Sequence, residues 1–371
     1  MGEIDRKKMM SGVRSLVVKV GTNVLSDRSG RLDRERVAEI CEQVHELRSR
    51  GLRIVIVSSG AIGAGQAELG LRRRPTALPE LQAAAAVGQS HLIRAYDEVF
   101  RKHGYRAGQV LLTREDIDDR VRYNNARNTL EAILKLGAVP VINENDTISV
   151  DEITFGDNDY LAAMVTNLLR ADLLVLLTTV EGLETPTGQV VGVVAAGDEA
   201  VKSFARDEKT RLGKGGMRSK LEAADIARSS GEMVVIASGH RRDVLVEIVE
   251  GKPVGTLLLP GEEKLSSRER WIGFGARPAG TLVIDDGARK ALLERGKSLL
   301  ASGIVSVDGD FKKGSIVEIA DRQGEVIARG RVNYPAQDVR TIAGHKSDEI
   351  QGLLGSCPHA EVVHRDDMVI L

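Results

Sequence analysis

The sequence predicts an α/β protein: a three-layer α/β/α sandwich around a mainly parallel sheet, followed by a small β-rich domain at the C-terminal end. Three observations point to it. Short β-branched runs alternate with stretches of helical spacing through residues 1–262. Runs such as Leu173-Leu174-Val175-Leu176-Leu177 are apolar at every position, as strands covered by helices on both faces must be. Beyond Pro260 the pattern gives way to short strand-like runs separated by turn residues.

The first strand is read over 15–20, a β-branched run closed by Gly21. From Asp33 the period changes: Val37, Ile40, Val44 and Leu47 recur at helical spacing, and Gly51 supplies a stop. A strand over 53–57 completes a βαβ unit with a right-handed crossover. Helices at 80–103, 124–136, 160–170 and 218–230 then alternate with strands at 108–112, 138–142, 172–178 and 233–237. After Pro260 the chain is charged and then crowds Gly273, Gly275, Pro278 and Gly280, the composition of a linker, placed at 263–277. Strand-like runs follow at 281–284, 304–307, 316–319, 326–328 and 361–363, within a second domain of 278–371.

The 371 residues carry 52 Lys and Arg against 53 Asp and Glu, a net charge of −1. No whole-molecule field draws nucleic acid or an anionic membrane, so any phosphate chemistry rests on local arrangements. Cys41 and Cys357 lie far apart, and Cys41 falls on an apolar helical face, where a thiol acts as a small buried hydrophobe. The seven histidines lack metal-ligand spacing, no apolar run has membrane-spanning length, and residues 1–11 are charged. A cytoplasmic location with no membrane partner is expected.

Ligands of an open parallel sheet bind beyond the C-terminal ends of its strands. Four loops qualify. The first, Lys19 to Asn23, puts a lysine near the end of a buried strand, where its ammonium is costly without a charged partner in a cleft; the competing reading is a lysine snorkelling at a sheet edge. The second, Ser58-Ser59-Gly60-Ala61-Ile62-Gly63-Ala64-Gly65, offers backbone N–H groups to an anion, or is simply a tight strand-to-helix turn. It matches neither G-x-G-x-x-G nor a Walker A loop. Third come two polar loops, Asn143-Glu144-Asn145-Asp146 and Gly156-Asp157-Asn158-Asp159, able to hold an ammonium or a carboxylic substrate; each singly reads as a turn or an N-cap. The 157–159 spacing is not that of an EF-hand, and no metal site is assigned. The fourth, Gly213 to Lys220, sets three cations and three glycines at a helix start, where acids are preferred, and so suggests an external polyphosphate; the competing, weaker reading is a solvated basic turn. Together they describe a nucleoside triphosphate facing a small polar substrate, with no nucleophilic side chain required.

These stretches resemble the amino-acid kinase family, and within it the branch that phosphorylates glutamate. The match runs through VVKVGTNVL from Val17, IVIVSSGAIGAG from Ile54, AAAVGQSHLI from Ala84 and QVLLTREDIDDRVRYNNARNTL from Gln109. It continues in PVINENDTI from Pro140, FGDNDYLAA from Phe155, GGMRSKLEAADIA from Gly215 and GTLLLP from Gly255. The remainder, RWIGFGARPAG, GIVSVDGDF, IAGHKSDEI and VVHRDDM, is similar to a PUA domain. The resemblance implies the amino-acid kinase fold over 1–262 as catalytic domain, the 263–277 linker, and a PUA-like domain over 278–371. It implies transfer of a phosphoryl group from ATP, with Mg²⁺, to the side-chain carboxylate of L-glutamate, giving L-glutamyl 5-phosphate at the start of proline biosynthesis. Proline as feedback inhibitor and a homo-oligomer, dimer or tetramer, are implied with it.

Carried over by position, Lys19 and Lys220 neutralise charge on the transferring group and Asp159 orients them. Gly21 and Gly60 admit the phosphates to the backbone, and Ser59, Asp146 and Asn158 hold glutamate. Thr178, Thr179 and the loop Lys214, Gly215, Gly216, Met217, Arg218, Ser219, Lys220 line the ATP site. The chain departs from the family in three places. Thr179 follows Thr178 where Asp is usual, Lys214 replaces the threonine of G-T-G-G-M, and 181–212 is short and lacks Asp-Pro-Arg. The competing readings are an amino-acid kinase for aspartate, acetylglutamate or UMP, and an RNA-binding protein acting through the PUA-like domain. RNA is the lesser reading: 278–371 holds 12 Lys and Arg against 14 Asp and Glu, with Phe311 and Tyr334 its only aromatics.

Overall fold

The computed structural model describes residues 5–27, 29–148, 158–204, 216–261 and 265–371. The chain divides into two compact units, Met1–Ile117 with Val121–Lys264, and Leu265–Leu371 with Asp118–Arg120.

Among the described residues the first unit carries eight strands: β1 (Ser15–Val20), β2 (Arg53–Ser58), β3 (Ala107–Leu112), β4 (Val139–Glu144), β5 (Leu173–Thr178), β6 (Val193–Val194), β7 (Met233–Ser238) and β8 (Thr256–Leu258). They form one sheet in the order β3-β4-β2-β1-β5-β7-β8-β6. Only the β7–β8 pair is antiparallel, so the expected, mainly parallel α/β sheet is what the chain forms. β1 is central, with β2 to β4 on one side and β5 to β8 on the other, so strand order reverses at its end.

The alternation of β1 sorts its residues between two layers. Leu16, Val18 and Val20 join one core with Val37, Ile40, Val44 and Leu47 of the Arg34–Ser49 helix and Leu92, Tyr96 and Phe100 of the Leu78–Lys102 helix. Val17 and Lys19 therefore face the other side, where the Asn158–Leu169 helix packs on β1 and on the Met217–Ser229 helix. The Asn158–Leu169 helix is apolar nearly all round, with 161–168 wholly buried, as its place against the sheet requires. Cys41 is buried in the first core and burial pushes its thiol well up, in keeping with a structural role.

Two glycines set how closely the helices Ala61–Glu68 and Leu78–Lys102 approach. A Cβ on Gly65 would lie 1.7 Å from the Ala84 carbonyl oxygen, and one on Gly88 would lie 1.8 Å from that of Ala61. Gly65 thus serves helix packing, although the sequence groups it with the anion loop.

The second unit holds β9 (Gly280–Ile284), β10 (Ile304–Gly309), β11 (Ile316–Ala320), β12 (Val326–Val332) and β13 (Val363–Ile370), in the order β10-β9-β11-β12-β13. Its core gathers Leu282, Ile284, Ile319, Val332, Tyr334 and Val339. Several features differ from expectation, among them the helices Ala336–Ile342 and Ile350–Leu354, which were not expected. β13 begins at Val363, where the expected strand ended, because the polar run His364-Arg365-Asp366 lies on an exposed edge strand. The Asp286–Arg295 helix was not expected, since Leu292 is its only buried residue. Its signals were the caps: Asp285 accepts from Ala288 N–H, and left-handed Gly296 closes the end. Within 263–277, residues Ser267–Arg270 form a helical turn and Arg270 is buried, while 262–264 lie outside the described residues.

The Gly88 contact yields a test. Gly88→Ala is expected to destabilise the protein by about 1–3 kcal/mol through overpacking against backbone that cannot yield. Chemical denaturation measures it, and an unchanged midpoint would show that the two helices separate freely.

Candidate active site

The site begins with a buried charge. Lys19, next to last in the central strand, has 3% exposure, and Lys220 in the first turn of the Met217–Ser229 helix has 6%. Both reach Asp159, which is fully buried in the first turn of the Asn158–Leu169 helix. Lys19 Nζ lies 2.5 Å from Asp159 Oδ1, and Lys220 Nζ donates to Asp159 Oδ2 at 3.0 Å. The Ser219 hydroxyl has one proton to share between Asp159 Oδ2 at 3.2 Å and the Gly216 carbonyl at 3.0 Å.

Burial pushes the Asp159 carboxyl up, but the Lys19 and Lys220 ammonium groups outweigh it and hold the carboxyl well below the usual carboxylate range. The helix dipole adds to this at Asp159, whereas Lys220 sits at the unfavourable positive end of its own helix and depends on its partner. Lys220 has three N–H donors and one acceptor among the described residues, so two donors remain for an external anion. Gly21 lies close by: a Cβ there would stand 3.7 Å from Lys19 Nζ.

Beside this cluster runs a chain of amides. Asn158 Nδ2 donates to Ser59 Oγ at 2.8 Å and to Asn143 Oδ1 at 3.0 Å. Asn143 Nδ2 donates to Gln89 Oε1 at 2.8 Å, and Asn143 Oδ1 also accepts from Glu144 N–H at 2.9 Å. Gly60, which caps the Ala61–Glu68 helix, has a φ of 101°, a conformation only glycine adopts without strain.

Of the expected site residues, the structure brings Lys19, Asp159, Ser219 and Lys220 into direct contact, and joins Ser59 to Asn158. Asp146 lies half-buried in the turn after β4. Thr178 ends β5 and Thr179 is exposed just beyond it. Gly216 caps the helix opened by Met217. Arg218 is turned to Glu222, with Nε 3.1 Å from Oε1, one helical turn on. Lys214 and Gly215 lie outside the described residues, as do Gly156 and Asp157.

Sequence reading singled out neither Gln89 nor the inward side chain of Asn143. Asn143 belongs to β4 itself rather than to the loop after it. The signal for Gln89 was present: it falls on the buried stripe Ala85, Gly88, Leu92, Tyr96 and Val99, where a polar residue needs a partner.

Among the described residues, no group of three His, Cys, Asp or Glu could hold a metal ion, and no helix is long and apolar enough to cross a membrane.

Comparison with known proteins adds two family models. One described as the amino acid kinase family matches residues 14–238, and one described as the PUA domain matches 280–354. A protein of Citrifermentans bemidjiense named glutamate 5-kinase is 44% identical over 372 residues, covering 99% of this chain and 100% of that one. One of the same name from Thioalkalivibrio sulfidiphilus is 45% identical, covering 98% of this chain and 99% of that one. A solved carbamate kinase from Giardia lamblia, bound to AMP-PNP, is 19% identical with a TM-score of 0.47, over 68% of this chain and 100% of that one.

The charge cluster makes an asymmetric prediction. Asp159→Asn removes the carboxylate charge that both buried ammonium groups contact and is expected to cost about 3–5 kcal/mol. Lys220→Met keeps the contact of Lys19 with Asp159, and the loss of stability should be much smaller. Denaturant titrations at neutral pH decide, since the depressed Asp159 carboxyl contributes fully above about pH 4 and is lost only well below it. A larger loss for Lys220→Met than for Asp159→Asn would refute this account of the cluster.

Proposed function

We infer the function from one premise: the chain belongs to the amino acid kinase family. The reaction is transfer of the terminal phosphoryl group of ATP to the side-chain carboxylate of L-glutamate, giving L-glutamyl 5-phosphate, the first step of proline biosynthesis. The observation that carries it is the buried Asp159 held between Lys19 and Lys220 at the C-terminal end of the central strand.

The acceptor carboxylate is already an anion, so transfer needs positioning and charge stabilisation more than a base. Lys19 and Lys220 would meet the charge that develops on the phosphoryl oxygens, and Asp159 fixes both ammonium groups before substrate arrives. Ser59, Asp146 and Asn158 would hold glutamate. Gly21, Gly60, Thr178, Thr179 and residues 214–220 would line the nucleotide. Arg218 is the weakest of these, because Glu222 engages it.

Mg²⁺ would enter with the nucleotide phosphates, since the described residues offer it no cluster of carboxylates. Proline carries the same α-carboxylate and cationic nitrogen as glutamate, so a site for one can admit the other as inhibitor. A dimer or tetramer and a cytoplasmic location belong to the same reading. Residues 278–371 would tune regulation or assembly, because every residue given a chemical role precedes them.

Two measurements test the reading. ATP-dependent acyl phosphate, trapped by hydroxylamine, is expected with glutamate and far less with aspartate or acetylglutamate; a preference for either of the latter would overturn the substrate assignment. In steady-state kinetics, Lys19→Ala and Lys220→Ala should each lower kcat by about 10²–10³ with little change in the KM for glutamate. Near-normal kcat in a folded variant would remove that lysine from the mechanism.

A further inference from the structure

The amide chain has a fixed polarity. A backbone N–H can only donate, so the Glu144 N–H identifies the atom of Asn143 it meets as Oδ1. The atom of Asn158 that meets the same oxygen must then be its Nδ2, and the backbone carbonyl of Ser58, at 3.4 Å from that nitrogen, requires the same assignment. Asn143 is left with Nδ2 on its other side, and the buried Gln89 accepts from it through Oε1. Gln89 thus closes the chain at one end and pins the Asn143 amide from the side opposite Asn158.

The consequences fall on the other two members. Asn158 spends Nδ2 on the chain, and its Oδ1 is a buried acceptor with no hydrogen-bond partner among the described residues. Ser59 Oγ accepts from Asn158, so its own proton is free to be donated elsewhere. Gln89 Nε2 is likewise buried and without a described partner. Of these two atoms, Asn158 Oδ1 lies next to Ser59 in the chain, and a bound donor that met it would offset the cost of burying it.

We propose that Gln89 and Asn143 are positioning residues that lock Asn158 with its carbonyl oxygen toward the α-ammonium of the substrate and Ser59 with its hydroxyl toward a substrate carboxylate. The inference rests on the glutamate reading above and names what that site recognises. A substrate without the ammonium leaves the Asn158 acceptor buried and unmet, so the site selects a free amino acid over a plain dicarboxylate.

The probe is glutarate, which has both carboxylates of glutamate and no ammonium. The full chain should use glutarate at least about a hundredfold less well in kcat/KM than glutamate. Gln89→Met, which removes the acceptor for Asn143, should narrow that ratio about tenfold, mostly through the KM for glutamate, with the KM for ATP unchanged. Gln89→Glu keeps an acceptor in place and should restore the ratio. A folded Gln89→Met protein with the wild-type ratio overturns the proposal, since a merely structural glutamine would lower stability without moving discrimination. Should that variant not fold, the wild-type comparison still decides: glutarate used within about threefold of glutamate overturns it. No acyl phosphate from glutamate at all would instead overturn the reaction and this inference with it.

Discussion

One carboxylate between two ammonium groups is the constraint on which the rest of this molecule turns. Asp159, Lys19 and Lys220 are each nearly or wholly buried, and none is affordable there alone. Satisfying them requires a strand end and two helix starts to meet at one point. β1 must be central, its alternation must turn Lys19 toward the right layer, and the two helices on that layer must begin beside it. The long apolar strands and the tight glycine contact between helices can be read as the scaffold that makes this meeting reproducible.

Such a cluster contributes little to folding, because the desolvation of three ions offsets most of their attraction. On the proposed reaction its value is preorganisation. Ammonium groups held before the nucleotide binds need no reorientation as charge moves during transfer. The amide chain carries a similar cost, with unmet atoms on Asn158 and Gln89. Both costs are borne by the apolar layers around them, where Leu16, Val18, Val20, Ile54, Ile56, Val175 and Leu177 pack with almost no exposure.

Much of this was legible in the sequence, and the exceptions have physical causes. β1, β2, β5 and β7 announce themselves as apolar runs buried on both faces, and Lys19 stands out by violating that rule, whereas β6 and β8, of two and three residues, are too short to be read from the sequence. Glycine is ambiguous. Gly60 with its positive φ and Gly65 in a helix contact look alike in a list of letters, and only geometry separates a turn from a close approach. Gln89 was hidden for a different reason. A polar residue on an apolar stripe says that a partner exists, but its partner Asn143 is 54 residues away and known only once β4 is in place. In the second unit, the Asp286–Arg295 helix buries one apolar side chain, so periodicity had nothing to count.

The two halves of the site are kept in register by two adjacent residues. Asn158 and Asp159 are consecutive residues in the first turn of one helix, so their side chains point about 100° apart. Asn158 joins Ser59 and Asn143, which stand at the ends of β2 and β4 on one side of β1. Asp159 joins Lys19 of β1 itself and Lys220, whose helix packs on β5 and β7 on the other side. On the proposed reaction, the first group faces the acceptor and the second the phosphoryl group. A single peptide bond at a helix start therefore fixes the distance between them. β1 joins the same two halves by pairing with β2 on one side and β5 on the other, so this peptide bond adds a second tie at the site itself. An insertion between residues 158 and 159 would rotate one set of contacts out of place however well each set were preserved. On the proposed reaction, the adjacency of those two side chains ties recognition of the amino acid to the charge that drives transfer.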